Sequence, residues 1–379
     1  MPEWIKSRAH LINYTNIIFS FLLLSLAFDF LDKISIFYDI EIIKLNRYLK
    51  IVYLLCSIAF ILIHLKYVYD HLKPILGFII VLTLIFVIKN NLTALYVNEF
   101  FRYLFPIISF PLIYYTYKNE KPNLLYRLFL FFKWSVIINA FLIFLGVLFR
   151  YKIFKTYDYH RFGYNGFILS QGFTPYFYIC VTTVFWVLNK KKLLTLALIL
   201  AIISGVKGVY FSQFLLLSLL VLLSEKFDVK FKLKTFVFIV ILFLAIMIGF
   251  FLMPTFNAIL NKDGVISAVF SHRSDFALEL FHKITGDNYS VLFGATELDK
   301  VRLELQLIDI VLFFGIMGLA VYSSMIYMIF KYLIKTNLAY AFFATCLVLS
   351  LLSGNLFYIP FSIILVYVSI LALRETDFS

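Results

Sequence analysis

The chain has 379 residues, of which 63% are hydrophobic and 15% are charged, and its formal net charge is +13. A soluble domain holds roughly 45–50% apolar and ~25% charged residues, so a soluble globule could not bury this much apolar surface. Positive charge can indicate nucleic-acid binding. In a membrane protein, however, basic residues first set topology and contact anionic lipid, and we expect the lipid bilayer and no nucleic acid as a partner.

The apolar runs do not alternate with polar residues and are about the length of a bilayer-spanning helix, which favours helices over a barrel. The sequence therefore predicts an all-α, multi-spanning integral membrane protein in which residues 1–379 form a single domain. About twelve transmembrane helices are predicted, near residues 11–30, 49–67, 74–89, 100–117, 124–149, 171–188, 193–205, 208–224, 235–253, 305–330, 338–352 and 356–373. The pair 193–205 and 208–224 is short and is compatible with one long or broken element. No small-residue cleavage site follows the first span, so an uncleaved span is expected. The three cysteines lie in apolar runs without metal-ligand spacing and are expected to be packing thiols.

Basic residues concentrate in alternate connections, which predicts that both termini are cytoplasmic. The segment 150–170 and the large loop 254–303 then face outward. These outward parts also carry basic residues, namely Lys152, Lys155, Arg161, Lys207, Arg273 and Arg302. The orientation rule does not supply positive charge on the translocated side, so an anionic ligand is one explanation and solvated loop charges are the other.

The segment 150–172 combines basic, aromatic and amide side chains. Its sequence, RYKIFKTYDYHRFGYNGFILSQG, places ten residues between Arg161 and Gly172, with His160 and Tyr164 close to Arg161. Arginine suits a phosphate because its planar fork donates paired hydrogen bonds and stays charged. The alternative is an interfacial aromatic belt with a snorkelling arginine.

Lys207 lies between two short apolar runs, in SGVKGVYFSQ. An ionisable residue between two spans is costly and is therefore a functional candidate. The alternative is a short turn whose lysine snorkels to the interface.

The loop 254–303 is the longest predicted excursion from the membrane. His272 and Arg273 precede an amphipathic pattern whose apolar stripe is Phe276, Leu280 and Ile284, which predicts a helix lying on the membrane or across a cavity mouth. The histidines of the loop lack zinc-site spacing, so no metal is expected.

Two carboxylates stand where the chain re-enters the membrane. Glu304 opens the run LELQLIDIVLFFGIMG, and Asp309 follows five residues later. Five residues on an ideal helix place two side chains on different faces, so no paired acid and base are implied. Glu304 alone could act as a general base or hold a substrate hydroxyl; the alternative is a favourable charge at a helix N-terminus. Gly315 and Gly318 predict close helix packing.

Together these segments resemble the O-antigen polymerase and ligase superfamily of bacterial membrane glycosyltransferases. The number and order of spans and the large outward loop are similar, and Arg161 to Gly172 matches an R-x10-G pattern. The run SGVKGVYFSQFLLL resembles a basic, glycine-flanked stretch of the family. The large loop likewise runs from Arg273 through an acidic residue to FFGIMG, although Gly286 follows Arg273 after twelve residues where the pattern has nine.

The end of the loop separates the two branches of the superfamily. Ligases carry a pattern like H-[NSQ]-x9-G-x-x-G. Here Gly315 and Gly318 fit its end, but Glu304 takes the histidine position and Leu305 follows. This departure favours a polymerase.

The resemblance implies a GT-C-like membrane enzyme of the bacterial inner membrane with its active site on the periplasmic side. Such a polymerase moves a growing glycan from undecaprenyl diphosphate onto a new lipid-linked repeat unit. Its substrate would be an undecaprenyl-diphosphate-linked oligosaccharide, and a chain-length regulator in the membrane would be a partner. No cofactor, metal or nucleotide sugar is expected, because the diphosphate leaving group already activates the donor.

We assign roles on this basis. The predicted catalytic residues are Glu304 as the base and Arg161 and Arg273, which would stabilise charge on the leaving diphosphate. The predicted substrate-binding residues are Lys207, His160, Tyr164, His272, Arg302 and Asp309.

Two rival functions are compatible with the same spans. A ligase would transfer finished glycan to lipid A core. A flippase or exporter of lipid-linked glycan would show repeated halves with a site at the membrane midplane, whereas the sequence shows no such repeat and its charges gather at one face.

Overall fold

Apolar runs joined by short polar connections fold as antiparallel helices. The computed structural model describes residues 13–374 except 42, 90–92, 121–123, 158–161, 226, 254–256, 259, 263, 265–266, 268–288 and 296–303. Within these residues there are twelve α-helices. They are α1 (Tyr14–Tyr38), α2 (Leu45–Ile63), α3 (Leu65–Lys89), α4 (Ala94–Glu120), α5 (Leu124–Phe149), α6 (Thr174–Val187), α7 (Lys191–Ile203), α8 (Lys207–Leu223), α9 (Val229–Phe251), α10 (Gln306–Tyr332), α11 (Asn337–Ser353) and α12 (Pro360–Leu373). A two-stranded antiparallel hairpin, β1 (Tyr289–Ser290) and β2 (Gly294–Ala295), precedes α10.

The prediction of an all-α protein is confirmed for the described residues, and the apolar helices are consistent with the predicted membrane protein. Five helices, α2, α3, α5, α9 and α10, are long and apolar enough to cross a bilayer. Leucine, isoleucine and phenylalanine side chains on the outer faces of α5 and α9 are exposed, including Phe141 and Phe238. Such exposed apolar faces are suited to contact with lipid rather than with water.

The centre of the bundle is formed by two short helices, α6 and α12. Almost every residue of both helices is buried, as expected of helices that are apolar on all sides. The longer helices α4 and α5 pack against α12, and α8 packs against α6.

Each predicted span overlaps one of these helices, but several boundaries differ: α1 continues to Tyr38, and α4 and α9 begin at Ala94 and Val229. The pair 193–205 and 208–224 is two helices, α7 and α8, separated by Gly205 with φ +68°. The helix predicted near 74–89 begins earlier, at Leu65, and is kinked at Leu72. Proline restricts the residues before it and removes a backbone donor, so a kink just before Pro74 is expected.

The helix α10 is broken at Gly315, where the sequence predicted close helix packing. Gly315 has φ +65° and ψ −161°, a conformation that interrupts the helix. The hairpin fills the break: the Ile316 amide donates to the Val291 carbonyl at 3.0 Å, and the Met317 amide donates to the Leu292 carbonyl at 3.2 Å. The large loop therefore does not stay in solvent over its whole length, because residues 289–295 return to the bundle.

Lys89, the last residue of α3, lies at the same break. Its ammonium donates to the Phe313 carbonyl and lies 5.3 Å from the centre of the Tyr96 ring and 5.1 Å from that of Phe313. A carbonyl that loses its helical partner inside a membrane protein needs another donor, and Lys89 supplies it.

We expect the Gly315→Ala substitution to destabilise the protein. A Cβ at position 315 would lie 2.4 Å from the Leu292 carbonyl carbon, in a backbone region that essentially only glycine adopts. Backbone strain of this kind alone costs about 1–3 kcal/mol. The measurement is the unfolding midpoint in detergent. The matched control is Gly77→Ala, since no atom lies within 4 Å of a Cβ added there. Equal unfolding midpoints for the two variants would show that position 315 does not require glycine, and would contradict the interruption of α10 there.

Candidate functional site

The segment 150–173 lies at the end of the bundle where α1, α5 and α7 end and where α4, α6, α8, α10 and α12 begin. We call this the segment end. Cross-contacts tie these helix ends together. Arg102 near the start of α4, for example, donates to the Tyr358 hydroxyl just before α12.

The described residues of this segment, 150–157 and 162–173, are folded against the protein. Lys155 and Tyr164 form an antiparallel bridge, and the Thr156 hydroxyl donates to the Ser204 carbonyl at 2.6 Å. The Tyr164 amide donates to the Ile203 carbonyl at 2.9 Å. Residues 162–164 therefore lie directly on the turn that joins α7 to α8.

Two charged side chains of α1 hold the deeper part of the segment. The Lys33 ammonium donates to the carbonyls of Gly166 at 2.7 Å and of Ile168 at 3.2 Å. One helical turn away, Asp29 accepts from the Leu169 amide at 2.9 Å. Lys33 is only 1% exposed, so these carbonyls replace the water that would otherwise solvate its ammonium group.

Amide side chains complete the fold of the segment. Asn139 on α5 accepts from the Phe167 amide at 3.1 Å. Asn165 donates to the Thr174 hydroxyl at 2.7 Å at the start of α6. Both asparagines are fully buried, and these hydrogen bonds offset part of the cost of burying their amides.

The two regions that the sequence singled out meet on one turn, Gly354–Asn355. A Cβ on Gly172 would lie 2.5 Å from the Asn355 side-chain nitrogen, and a Cβ on Gly354 would lie 2.3 Å from the Glu304 carbonyl oxygen. The Tyr176 hydroxyl donates to the Gly354 carbonyl at 2.8 Å. The end of the R-x10-G segment and the start of the α10 region are therefore neighbours.

Glu304 adopts a left-handed conformation, with φ +57°. Its side chain is half-buried, and two residues later Gln306 accepts from the Phe357 amide at 3.1 Å. Left-handed backbone at a non-glycine residue is uncommon and is retained where the surroundings fix it. Here the contact with Gly354 and the Gln306 hydrogen bond fix the approach to α10.

The other described site candidates have different surroundings. Lys207 is half-buried at the first position of α8, with its ammonium 5.6 Å from the centre of the Phe250 ring. The Tyr164 ring packs against Gly146 of α5, so it shapes the wall of the segment. Asp309 is 4% exposed in the first turn of α10.

The remaining sequence candidates lie outside the described residues. These are His160, Arg161, His272, Arg273 and Arg302, together with the amphipathic pattern 276–284.

The structure adds a group of ionisable residues that the sequence interpretation passed over. Glu99 and Arg102 on α4 form an ion pair at 3.5 Å, and the Tyr358 hydroxyl donates to Glu99 at 2.8 Å. Lys50 on α2 interacts electrostatically with Asp29, Asp32 and Arg102. These residues lie within or beside predicted apolar spans, and a charge in such a place is by itself a functional signal. That signal was available in the sequence.

Outside the helices, burial raises the pKa of the Tyr289 hydroxyl. The phenol donates to the Val311 carbonyl at 3.4 Å. Among the described residues, no group of three or more histidine, cysteine, aspartate or glutamate side chains is placed to hold a metal ion.

No family model, curated protein or solved structure matches this chain.

We expect Lys33→Met to loosen the segment. The substitution would leave the Gly166 and Ile168 carbonyls without the buried donor, and an unmet buried acceptor costs about 1–3 kcal/mol. Hydrogen exchange followed by mass spectrometry should show faster exchange of peptides covering residues 162–172. Lys230→Met, at an exposed position at the start of α9, is the control and should not change that exchange. Unchanged protection in Lys33→Met would show that α1 does not hold the segment.

Proposed function

We propose that this protein is a lipid-diphosphate-dependent polysaccharide polymerase. It transfers a growing glycan from undecaprenyl diphosphate to a lipid-linked repeat unit at the segment end, which faces the periplasm. The proposal includes about twelve membrane spans with cytoplasmic termini in the bacterial inner membrane. A GT-C-like arrangement and a partner that regulates chain length belong to the same proposal.

The observation that carries this proposal is the meeting of Gly172 and Glu304 on the turn Gly354–Asn355. A glycosyl transfer needs a cationic group for the diphosphate and a base for the acceptor, held at one place. The segment that contains Arg161 ends at Gly172, which packs on Asn355. The backbone of the candidate base Glu304 packs on Gly354, the residue before Asn355 in the same turn. The Lys207 helix is also adjacent, since a Cβ on Gly208 would lie 3.1 Å from the Pro175 ring.

A lateral groove supports a lipid-linked substrate. A groove of about 640 Å³ runs between α1 and α5, with an almost wholly apolar lining from Arg127 to Leu142. Fifteen residues of helix span about 22 Å, most of the roughly 30 Å hydrocarbon core. Phe30 near the end of α1 and Phe167 of the segment 150–172 also line the groove, so a polyprenyl chain in it would bring its diphosphate to that segment.

In the proposed reaction, the acceptor hydroxyl attacks the anomeric carbon of the donor glycan. A new carbon–oxygen bond forms while the bond between that carbon and the diphosphate oxygen breaks. Glu304 takes the acceptor proton, and Arg161, Lys207 and Arg273 stabilise the charge on the leaving undecaprenyl diphosphate. Arg302 is a further diphosphate contact, and His160, Tyr164, His272 and Asp309 contact or shape the sugar site.

We expect Glu304→Gln to abolish polymerisation of lipid-linked repeat units by the purified protein. Loss of a general base lowers a rate by about 10²–10⁴-fold, while the amide keeps the size of the side chain. Gel separation of products by chain length gives the measurement. Glu41→Gln, an exposed carboxylate after α1, should polymerise at the wild-type rate.

Arg161→Ala should also block polymerisation, through loss of diphosphate binding. Full activity in either Glu304→Gln or Arg161→Ala would remove that residue from the proposed site.

Two rivals make different predictions for a deletion strain. Deletion of a polymerase leaves single repeat units attached to the cell-surface acceptor, whereas deletion of a ligase leaves polymer on the lipid carrier. Deletion of a flippase leaves repeat units on the cytoplasmic face. We expect single repeats, measured by gel analysis of surface polysaccharide. Polymer retained on the carrier would favour the ligase despite Glu304.

The flippase has one structural observation in its favour, the interrupted helix α10. Helices broken beside a charged side chain are typical of transporters, where the break lines the substrate site. Here the hairpin and Lys89 fill the break. The break is therefore better explained as a docking point for the large loop.

A further inference from the structure

Glu99, Arg102 and Tyr358 form a connected polar group at the segment end. The Tyr358 hydroxyl donates to Glu99 Oε1 at 2.8 Å and accepts from the Arg102 guanidinium. Arg102 also pairs with Glu99 at 3.5 Å, and its guanidinium carbon lies 4.9 Å from the centre of the Tyr358 ring. One helix, α4, and the connection before α12, far apart in sequence, thus supply one polar group.

The group is partly open. The Arg102 side chain is 43% exposed and the Glu99 side chain is 14% exposed, while Tyr358 is half-buried. The Tyr103 ring meets the Tyr358 ring edge to face, with centres 5.6 Å apart. An aromatic wall beside a carboxylate and a guanidinium can contact the apolar face of a sugar ring and bind its hydroxyls at once.

The charges of the group decide which ligand fits. Arg102 is paired with Glu99, and Lys50 interacts electrostatically with the carboxylates of Asp29 and Asp32 as well as with Arg102. Each of these two cations therefore has a carboxylate beside it, so a diphosphate would gain less from them than from unpaired cations. A neutral polyol is suited to such a group, because each hydroxyl can donate to a carboxylate and accept from a guanidinium.

The group also lies close to the candidate base. Tyr358 is on the same connection between α11 and α12 as Gly354, which packs on the Glu304 backbone. The preceding Phe357 amide donates to Gln306, two residues after Glu304. A ligand on Tyr358 is thereby presented to the start of α10.

We propose that Glu99, Arg102 and Tyr358 bind an uncharged saccharide, the acceptor sugar of the repeat unit. This inference rests on the proposed function for the role of that sugar, but the binding itself does not require transfer. Arg102 and Glu99 hold two hydroxyls of the ring, and Tyr358 orients both side chains. The diphosphate is bound separately, by the basic residues of the segments around Arg161 and Lys207.

The test is direct binding of lipid-free oligosaccharides to the full chain in lipid nanodiscs. The probes are a panel of neutral oligosaccharides and a matched panel with acidic or phosphorylated sugars. Wild type should bind neutral members more strongly. Glu99→Gln and Tyr358→Phe should each weaken that binding by about tenfold to a hundredfold, the effect of losing one hydrogen bond to a charged group.

Matched controls at other positions are Arg47→Lys and Tyr126→Phe, both exposed, which should bind as wild type does. The unfolding midpoint of each variant identifies a misfolded protein. If Glu99→Gln misfolds, Arg102→Lys is the substitute variant. It keeps the positive charge but removes the paired hydrogen bonds of the guanidinium, so it should weaken glycan binding without changing the unfolding midpoint.

Three results would overturn the inference: no neutral glycan bound by wild type, stronger binding of the acidic panel, or wild-type affinity in Glu99→Gln and Tyr358→Phe. A different result would refute the proposed polymerase function but support the binding site. In that result, wild type binds neutral glycan, the two variants lose this binding, and the protein does not polymerise lipid-linked repeats.

Discussion

The hydrogen bonds from Lys33 to the Gly166 and Ile168 carbonyls are the interaction on which the segment end depends. Non-helical backbone at membrane depth is tolerated only where the protein satisfies its polar groups. The long Lys33 side chain reaches the two carbonyls from α1. Asp29, one turn away, accepts the hydrogen bond of the Leu169 amide. With both in place, residues 162–170 can enter the bundle and lie against the turn between α7 and α8.

The same constraint explains the break in α10. Opening the helix at Gly315 frees carbonyls and amides, and the protein meets them with the hairpin on one side and Lys89 on the other. The hairpin thereby fixes the large loop at residues 289–295, shortly before the chain reaches Glu304. A lysine at the end of one helix and a loop distant in sequence thus define the entry of α10, and the position of the candidate base follows from that entry.

The helices and their order could be predicted from the sequence because long apolar runs have few alternatives in a bilayer. The break at Gly315 could not, since a glycine in an apolar helix is equally typical of close packing, and only the partner Leu292 distinguishes the two. The meeting of Gly172 with Glu304 depends on Asn355, a residue without any local signal. Glu99 and Arg102 did carry a signal, as charges in an apolar run, but their partner Tyr358 lies more than two hundred residues away.

Under the proposed function, the distribution of charge separates the binding of the two substrates. A transfer between two lipid-linked substrates must hold a strongly anionic leaving group and a neutral nucleophile within reach of one base. If both were bound by the same cations, the diphosphate would outcompete the sugar, because it gains far more from positive charge. Around Arg102, carboxylates offset the cations, so a diphosphate gains little there and hydroxyls gain hydrogen bonds. In the proposed reaction, the Glu304 backbone packs on Gly354 of the connection that carries Tyr358, and Gly172 packs on the next residue, Asn355. This position would let one base deprotonate the acceptor as the diphosphate leaves.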